Sequence, residues 1–211
     1  MYFSRVKLDE NQRRKLSHLG AYHNWVESTF TQERSQEKDG QRKRHLWRLE
    51  NIGVDTYLLI VSENQPDLKE LETYGVDGSA ESKNYDQFLN NLKEGEVLRF
   101  KLEANPTMRK AERDKKLGRI IPVSSENIKD WLINKGKLNG FSVEKDQVEI
   151  GKREKVLLRH KNNSRAWLSK VEYYGFLTIT NLDQFKNALV NGIGREKAYG
   201  MGLLTVAPVK N

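Results

Sequence analysis

The two halves of this chain carry the same order of hydrophobic patterns, and this repetition limits the possible folds more than any other feature. In the first half, the stretches YFSRVKL, HLWRLE, TYLLIVS and EVLRFKLEA have the composition or the alternation of strands. Between them, GAYHNWVESTF places Tyr22, Val26 and Phe30 on one helix face, and YDQFLNNL indicates a second helix. The first half is therefore predicted to run strand, helix, strand, strand, helix, strand.

The second half follows the same plan. Predicted strands are IIPV, GFSVEKDQVEI, KVLLRHK, SKVEYYGFLTIT and GLLTVAP, and predicted helices are SSENIKDWLINKG and NLDQFKNALVNG, which begin with capping residues and stop at Gly136 and Gly192. We therefore predict an α+β fold with tandem ferredoxin-like (βαββαβ) domains and antiparallel sheets. The domains are predicted at residues 1–105 and 119–211, with a basic connector at 106–118.

Composition and hydropathy limit the kinds of site, location and partner that this chain can have. The 211 residues include no cysteine, which excludes disulfides, thiolate zinc sites and cysteine nucleophiles. No apolar run is long enough to cross a bilayer, and MYFSRVKL lacks the central apolar block of a signal peptide, so a cytoplasmic location is expected. The net charge of +8 favours a polyanionic partner, with nucleic acid as the first candidate and a merely soluble basic protein as the alternative.

The segment GIGREKAYGMGLL, residues 192–204 and called the glycine loop below, places four glycines among basic residues between a predicted helix and a predicted strand. P-loops and dinucleotide-binding motifs have the opposite order, so no nucleotide cofactor is predicted. Glycine allows a phosphodiester to approach the main chain closely. We expect RNA or a similar backbone to contact Gly192, Gly194, Arg195, Lys197, Gly200 and Gly202. Alternatively, the glycines end the helix and permit tight packing, and both roles can hold together.

Several motifs together resemble one family. GIGREKAYGMGLL followed by VAP, MYFSRV, HLWRLE, LRFKLEANPTMRK, RIIPV before WLINKG, and YGFLTITNLDQF cover nearly the whole chain. The sequence resembles the CasE (Cse-type) CRISPR RNA-processing endoribonucleases of the RAMP superfamily. This resemblance implies metal-independent cleavage of CRISPR precursor transcripts within the repeat hairpin, by attack of a 2′-hydroxyl that leaves a 2′,3′-cyclic phosphate. It also implies that the protein retains the mature crRNA and joins other subunits of a Cascade-type complex.

Cleavage without metal requires a proton acceptor, a proton donor and a cation near the developing phosphorane charge. The chain has four histidines: His18, His23, His45 and His160. The resemblance implies that His23, in the N-terminal domain, is the catalytic residue, while an ordinary helix histidine is the alternative. The other three histidines are expected at the surface, and no metal-ligand spacing is present, so neither a metal nor a cofactor is predicted.

A tyrosine that relatives often carry three residues before the histidine is replaced here by Gly20. Tyr22, directly before His23, is kept as a candidate catalytic assistant. Adjacent helix residues point about 100° apart, so Tyr22 can assist only if the helix begins irregularly after Gly20. The alternative is that Tyr22 packs in the core with Val26 and Phe30.

The resemblance implies active-site cations within RHKNNSR, residues 159–165. Lys161 is the first candidate for stabilising the transition state and Arg159 the next, and Arg159 and Arg165 are also candidate RNA ligands. A solvated turn between two strands is the alternative, since basic turns are common on charged surfaces.

Basic residues also crowd the connector. Those predicted to contact phosphates are Arg109, Lys110, Arg113, Lys115, Lys116 and Arg119. They could follow the deep, narrow major groove of A-form RNA, which side chains cannot read by base. A solvated loop is the alternative. For the whole protein, a catalytically inactive RAMP-type RNA-binding subunit remains open, whereas an RRM is disfavoured because its aromatic strand signature is absent.

Overall fold

The computed structural model of the chain describes residues 1–34, 43, 45–111, 118–159 and 165–209. The N-terminal part forms an antiparallel sheet with the strand order β2-β3-β1-β4. Its elements are β1 (Tyr2–Lys7), α1 (Leu19–Ser28), α2 (Thr31–Arg34), β2 (Leu46–Ile52), β3 (Asp55–Ser62), α3 (Leu68–Leu71) and β4 (Glu81–Asn84). Short 3-10 turns cover Glu10–Leu16 and Glu72–Tyr74.

The rest of the chain forms a second antiparallel sheet and a small hairpin. Its elements are α4 (Asp86–Asn91), β5 (Val97–Ala104), β6 (Thr107–Lys110), β7 (Arg119–Pro122), α5 (Ile128–Leu138), β8 (Phe141–Ser142), β9 (Val148–Arg159), β10 (Arg165–Ile179), α6 (Leu182–Asn191) and β11 (Leu204–Pro208). Further 3-10 turns cover Ser125–Asn127 and Lys197–Tyr199. The sheet order is β11-β5-β10-β8 with β9 also paired to β10, and β6 pairs only with β7 among the described strands.

Both sheets have the ferredoxin-like arrangement. In each, the first strand lies between the third and fourth strands of its βαββαβ unit: β1 between β3 and β4, and β5 between β10 and β11. The predicted α+β fold class with antiparallel sheets is confirmed.

The assignment of β5 to the first domain is wrong. β5 pairs with β10 and β11, so the predicted boundary at residue 105 separates this strand from its own sheet. The first sheet instead closes with β4, whose sequence ESKN is polar and gives no hydrophobic alternation. The stretch IIPV, predicted to open the second domain, forms most of β7 in the connector hairpin.

Strand β3 is buried on both faces over Leu58 to Ser62, and its successive residues enter two different cores. Leu58 and Ile60 pack beneath α1 with Trp25, whereas Leu59 and Val61 belong to the larger core built around the second sheet, α5 and α6. This double burial explains why the LLIV run of β3 is continuously apolar instead of alternating with polar residues. The two units are therefore packed against each other through the first sheet.

Arg48 on β2 links the two units through a guanidinium that is only 1% exposed. Its Nη1 donates to the main-chain oxygens of Lys101 (3.1 Å) and Leu203 (3.0 Å). Its Nη2 donates to Thr205 Oγ1 (2.8 Å) and to the Glu50 carboxylate. Because a buried charge is costly unless it is paired and hydrogen-bonded, these contacts fix β2 against β5 and against the start of β11.

We predict that Arg48→Ala lowers the free energy of unfolding by about 3–5 kcal/mol, since the Glu50 carboxylate and two carbonyl oxygens lose a buried partner. Denaturant unfolding measures the loss. Arg5→Ala is the matched control, because Arg5 on β1 is 44% exposed and pairs with Glu81 at the surface. That control should lose about 1 kcal/mol or less, and equal losses would contradict the proposed link.

Candidate functional site

His23 lies in the middle of α1, where sequence and capping fix the helix. The His18 side chain accepts a hydrogen bond from the Ala21 main-chain N–H (3.2 Å) at the start of α1. The His23 side chain is 25% exposed, and its ring centroid lies 5.7 Å from that of Tyr199 in the glycine loop. His23 of the first unit thus lies against the glycine loop of the second unit.

The end of the β9–β10 hairpin forms the third side of this region. Leu158 and Leu168 from the hairpin pack with Met201 of the glycine loop, and Leu19 of α1 and Tyr199 pack against the same small cluster. This packing brings the hairpin close to the start of α1. The structure therefore joins α1, the glycine loop and the β9–β10 hairpin around one surface.

The predicted cations of the β9–β10 turn are described only in part. Arg159 pairs with Arg165 across the last register position of the hairpin, and the Arg165 side chain is exposed. Lys161 and His160 lie outside the described residues, as does the side chain of Arg159. The roles of Lys161 and Arg159 stay predictions.

Tyr22 does not meet the condition under which it could assist His23. α1 begins at Leu19 and includes Gly20, so the helix has no irregular start after Gly20. The Tyr22 ring is buried and stacks on Trp47 with centroids 5.7 Å apart, in the same core as Val26. Burial also raises the pKa of the Tyr22 phenol above its ordinary value, which disfavours ionisation. Its position supports the packing interpretation.

The expectation of a surface position for His45 is wrong. His45 is 5% exposed, its ring stacks on Phe30 with centroids 3.7 Å apart, and both ring nitrogens face carboxylates. Burial of this residue depends on α1 and α2, which a local pattern before β2 does not reveal. His18 is exposed as expected.

The glycine loop is tightly packed as well as basic. The Trp47 indole Nε1 donates to the Ala198 carbonyl (3.0 Å), and the Gly202 N–H donates to the Glu103 carbonyl (2.6 Å). Gly200 has φ 78° and faces the Trp47 ring, so a Cβ there would lie 2.6 Å from a ring carbon. These contacts hold the main chain around Tyr199 between β2 of the first unit and β5 of the second.

An open cleft of about 650 Å³ lies on the other side of the glycine loop. It is bordered by the β6–β7 hairpin, α5, α6 and the loop, and its basic residues are Arg109, Lys135, Arg195 and Lys197. Gly192, Gly194, Met108, Ile120 and Trp131 also contribute to its walls. The cleft combines cations with apolar and aromatic surface, a combination suited to binding a nucleic-acid strand.

Individual cations in the cleft are partly fixed. Arg109 donates to the Gly118 carbonyl (3.2 Å), Lys197 donates to the Asn191 carbonyl (2.7 Å), and Lys135 Nζ lies 5.8 Å from the Trp131 ring centroid. Sequence reasoning missed Lys135, although its place near the C-terminus of a predicted helix beside a buried tryptophan was a usable signal.

The other connector residues contribute differently. Lys110 and Arg119 are exposed partners across the β6–β7 hairpin and do not border the cleft. Arg113, Lys115 and Lys116 lie outside the described residues. Within the described part of the chain, no group of three or more His, Asp or Glu side chains is arranged to hold a metal ion, and no helix there is long and apolar enough to cross a membrane.

Tandem ferredoxin-like units with a histidine beside a glycine-rich loop and a basic cleft suit a protein that binds RNA and can transfer a proton. The comparisons show the family. The model of the CRISPR-associated protein family matches residues 1–208, and the chain belongs to this family. It is 30% identical over 178 residues to the CRISPR-associated endoribonuclease Cse3 of Thermus thermophilus, covering 79% of this chain and 81% of that protein.

Solved structures show the same relationship. The chain resembles the CRISPR endoribonuclease Cse3 bound to a 19-nucleotide RNA, with a TM-score of 0.77, 25% identity and coverage of 99% of this chain and 100% of the other. It also shares the fold of a chain in a CRISPR RNA-guided surveillance complex, with a TM-score of 0.62, 20% identity and coverage of 99% and 100%.

We predict that Gly200→Ala destabilises the protein by more than 1–3 kcal/mol, roughly the cost of a strained backbone alone, because the new Cβ also collides with the Trp47 ring. Gly53→Ala is the matched control: Gly53 has φ 63°, but no atom lies within 4 Å of its added Cβ. Thermal unfolding compares the two variants. Equal shifts in Tm would show that contact with Trp47 does not restrict this position.

Proposed function

We propose that this chain is a metal-independent endoribonuclease that cleaves CRISPR precursor transcripts within the repeat hairpin. The observation that carries the proposal is His23, partly exposed on α1 and bordered by the glycine loop through Tyr199. The family match and the 30% identity to an endoribonuclease support the same activity. The resemblance implies this histidine as the catalytic residue.

In the proposed reaction, the 2′-hydroxyl attacks the adjacent phosphate and the 5′-oxygen leaves, so the products carry a 2′,3′-cyclic phosphate and a 5′-hydroxyl. His23 transfers a proton to or from one of these oxygens, because imidazole can do either near neutral pH. A cation of the β9–β10 turn, with Lys161 first and Arg159 next, stabilises the phosphorane. Tyr22 has no proton-transfer role in this scheme.

The cleft beside the glycine loop binds the RNA backbone. Arg195 is exposed at its edge and Lys135 lies on the facing helix α5, so phosphates between them can contact both cations. Gly194 and Lys197 line the cleft, and Tyr199 in the same loop contacts His23. One short segment thereby connects binding of the backbone with the proposed site of cleavage.

The protein retains the mature crRNA and joins a Cascade-type complex in the cytoplasm. The shared fold with a chain of a CRISPR RNA-guided surveillance complex supports this assembly. Retention suits an enzyme whose basic cleft lies apart from the catalytic histidine, because cleavage at His23 leaves the phosphates in the cleft still paired with their cations.

We predict that His23→Ala lowers the single-turnover cleavage rate by about 100-fold or more while hairpin affinity stays near that of the wild type, as expected for a general acid or base. The rate is measured with a labelled repeat hairpin in EDTA, and affinity with a hairpin carrying a 2′-deoxy scissile nucleotide, which should not be cut. Unchanged cleavage would remove His23 from the mechanism. A wild-type protein that binds the hairpin without cutting it would instead be the catalytically inactive RNA-binding subunit.

We predict that the double variant Lys135→Gln/Arg195→Gln weakens hairpin binding and reduces the salt dependence of log Kd by about 0.9 for each phosphate that the protein no longer neutralises. Cleavage at saturating protein should change little. The control Lys137→Gln/Arg99→Gln removes the same charge from two exposed residues outside the cleft. If both double variants have the same salt slope as the wild type, the cleft does not bind RNA phosphates.

A further inference from the structure

A buried histidine, His45, contacts Glu27, which also faces the proposed catalytic residue His23. His45 Nδ1 is 2.9 Å from Glu27 Oε1, and His45 Nε2 is 3.2 Å from Glu33 Oε2. Its side chain is 3% exposed, and the Phe30 ring covers one face in a parallel stack. The mechanism described above gives this cluster no role.

The cluster holds the Glu27 carboxylate in a defined place. Glu27 is on α1, Glu33 is on α2, and His45 immediately precedes β2, so the imidazole ties both helices to the first sheet. Glu33 is itself fixed, because Asn64 Nδ2 donates to its other oxygen at 2.8 Å. Both ring nitrogens lie within hydrogen-bond distance of a carboxylate, and which of them donates depends on the tautomer. The contact with Glu33 and the stack on Phe30 together fix where the ring meets Glu27.

The same oxygen of Glu27 also faces His23. Glu27 Oε1 lies 3.8 Å from His23 Nδ1, one helical turn earlier on α1. This distance is longer than a hydrogen bond, and catalytic hydrogen bonds in unliganded enzymes are commonly long before substrate binds. A carboxylate behind one ring nitrogen determines which tautomer of the imidazole is stable.

We propose that Glu27 is a positioning residue for His23 and that His45 holds it in place. The Glu27 carboxylate accepts the Nδ1–H of His23, which leaves the Nε2 lone pair of the neutral ring directed towards the RNA. This inference rests on the proposed function of His23. It assigns the buried His45 a part in the reaction through Glu27, without contact with the RNA.

The test combines ring nitrogen chemical shifts with cleavage rates. Protein with ¹⁵N-labelled histidine is bound to the hairpin with a 2′-deoxy scissile nucleotide. Variants in which one histidine at a time is replaced are used to assign the signals. In the wild type, His23 should be in the Nδ1–H form. In Glu27→Ala, the Nε2–H form should increase and single-turnover cleavage should fall roughly 10–100-fold with unchanged affinity. Glu27→Gln, which keeps an acceptor oxygen, should recover part of the rate.

Glu81→Ala is the control, because it removes an exposed carboxylate from β4 at the opposite edge of the first sheet from β2. It should leave both the tautomer and the rate unchanged. A wild-type His23 in the Nε2–H form overturns the proposal without any variant. The proposal is also overturned if Glu27→Ala lowers the cleavage rate while the His23 tautomer stays the same. It is overturned as well if Glu27→Ala keeps the wild-type tautomer and rate while His23→Ala is inactive. If His23→Ala itself cleaves normally, the proposed function fails instead.

Discussion

The burial of one charged residue on β2 is the constraint on which the rest of this structure depends. On β2, Leu46 packs in the larger core and Trp47 packs in the core beneath α1. The next residue, Arg48, has a side chain that is only 1% exposed. Such a charge is stable only where several acceptors surround it. One acceptor is Glu50 on β2 itself, and the others are on β5, on β11 and at Leu203 just before β11. Sliding one unit over the other would break the three hydrogen bonds to the second unit and leave Arg48 with Glu50 of its own strand, so these bonds favour one relative position of the units.

Trp47 extends the same constraint to the proposed active site. Its indole donates to the Ala198 carbonyl, and its ring occupies the space that a side chain at position 200 would need. Tyr199 lies between these two contacts, and its distance of 5.7 Å from His23 therefore depends on the packing of β2. The glycine loop packs against the tryptophan on one side and presents Arg195 to the cleft on the other. Its structural and binding interpretations are thus compatible.

Local periodicity predicted the helices α1, α4, α5 and α6 and most strands, because residues close in the chain determine which face of each element is buried. It could not assign β5 to a sheet, since an alternating strand has the same pattern in either one. It also missed β4, whose polar sequence ESKN is held by pairing with β1. His45 was misplaced for a related reason: its burial depends on Phe30, fifteen residues earlier in the chain. His23 was identified by family resemblance, and no pattern in the sequence indicated that Glu27 lies between two histidines.

The proposed site is divided between the two units, so its chemistry depends on the interface between them. The cations of the cleft belong to the second unit and its connector, whereas His23 and the Glu27–His45 pair belong to the first. In the proposed function, the surface for RNA phosphates and the proton-transfer group His23 therefore lie on different units. Under that proposal, RNA bound in the cleft would meet His23 in a productive orientation only if the two units keep a fixed geometry, because proton transfer requires hydrogen-bond distances. The buried hydrogen bonds of Arg48 fix that geometry. The same bonds offset the cost of desolvating Arg48 and keep the two parts of the proposed active site together.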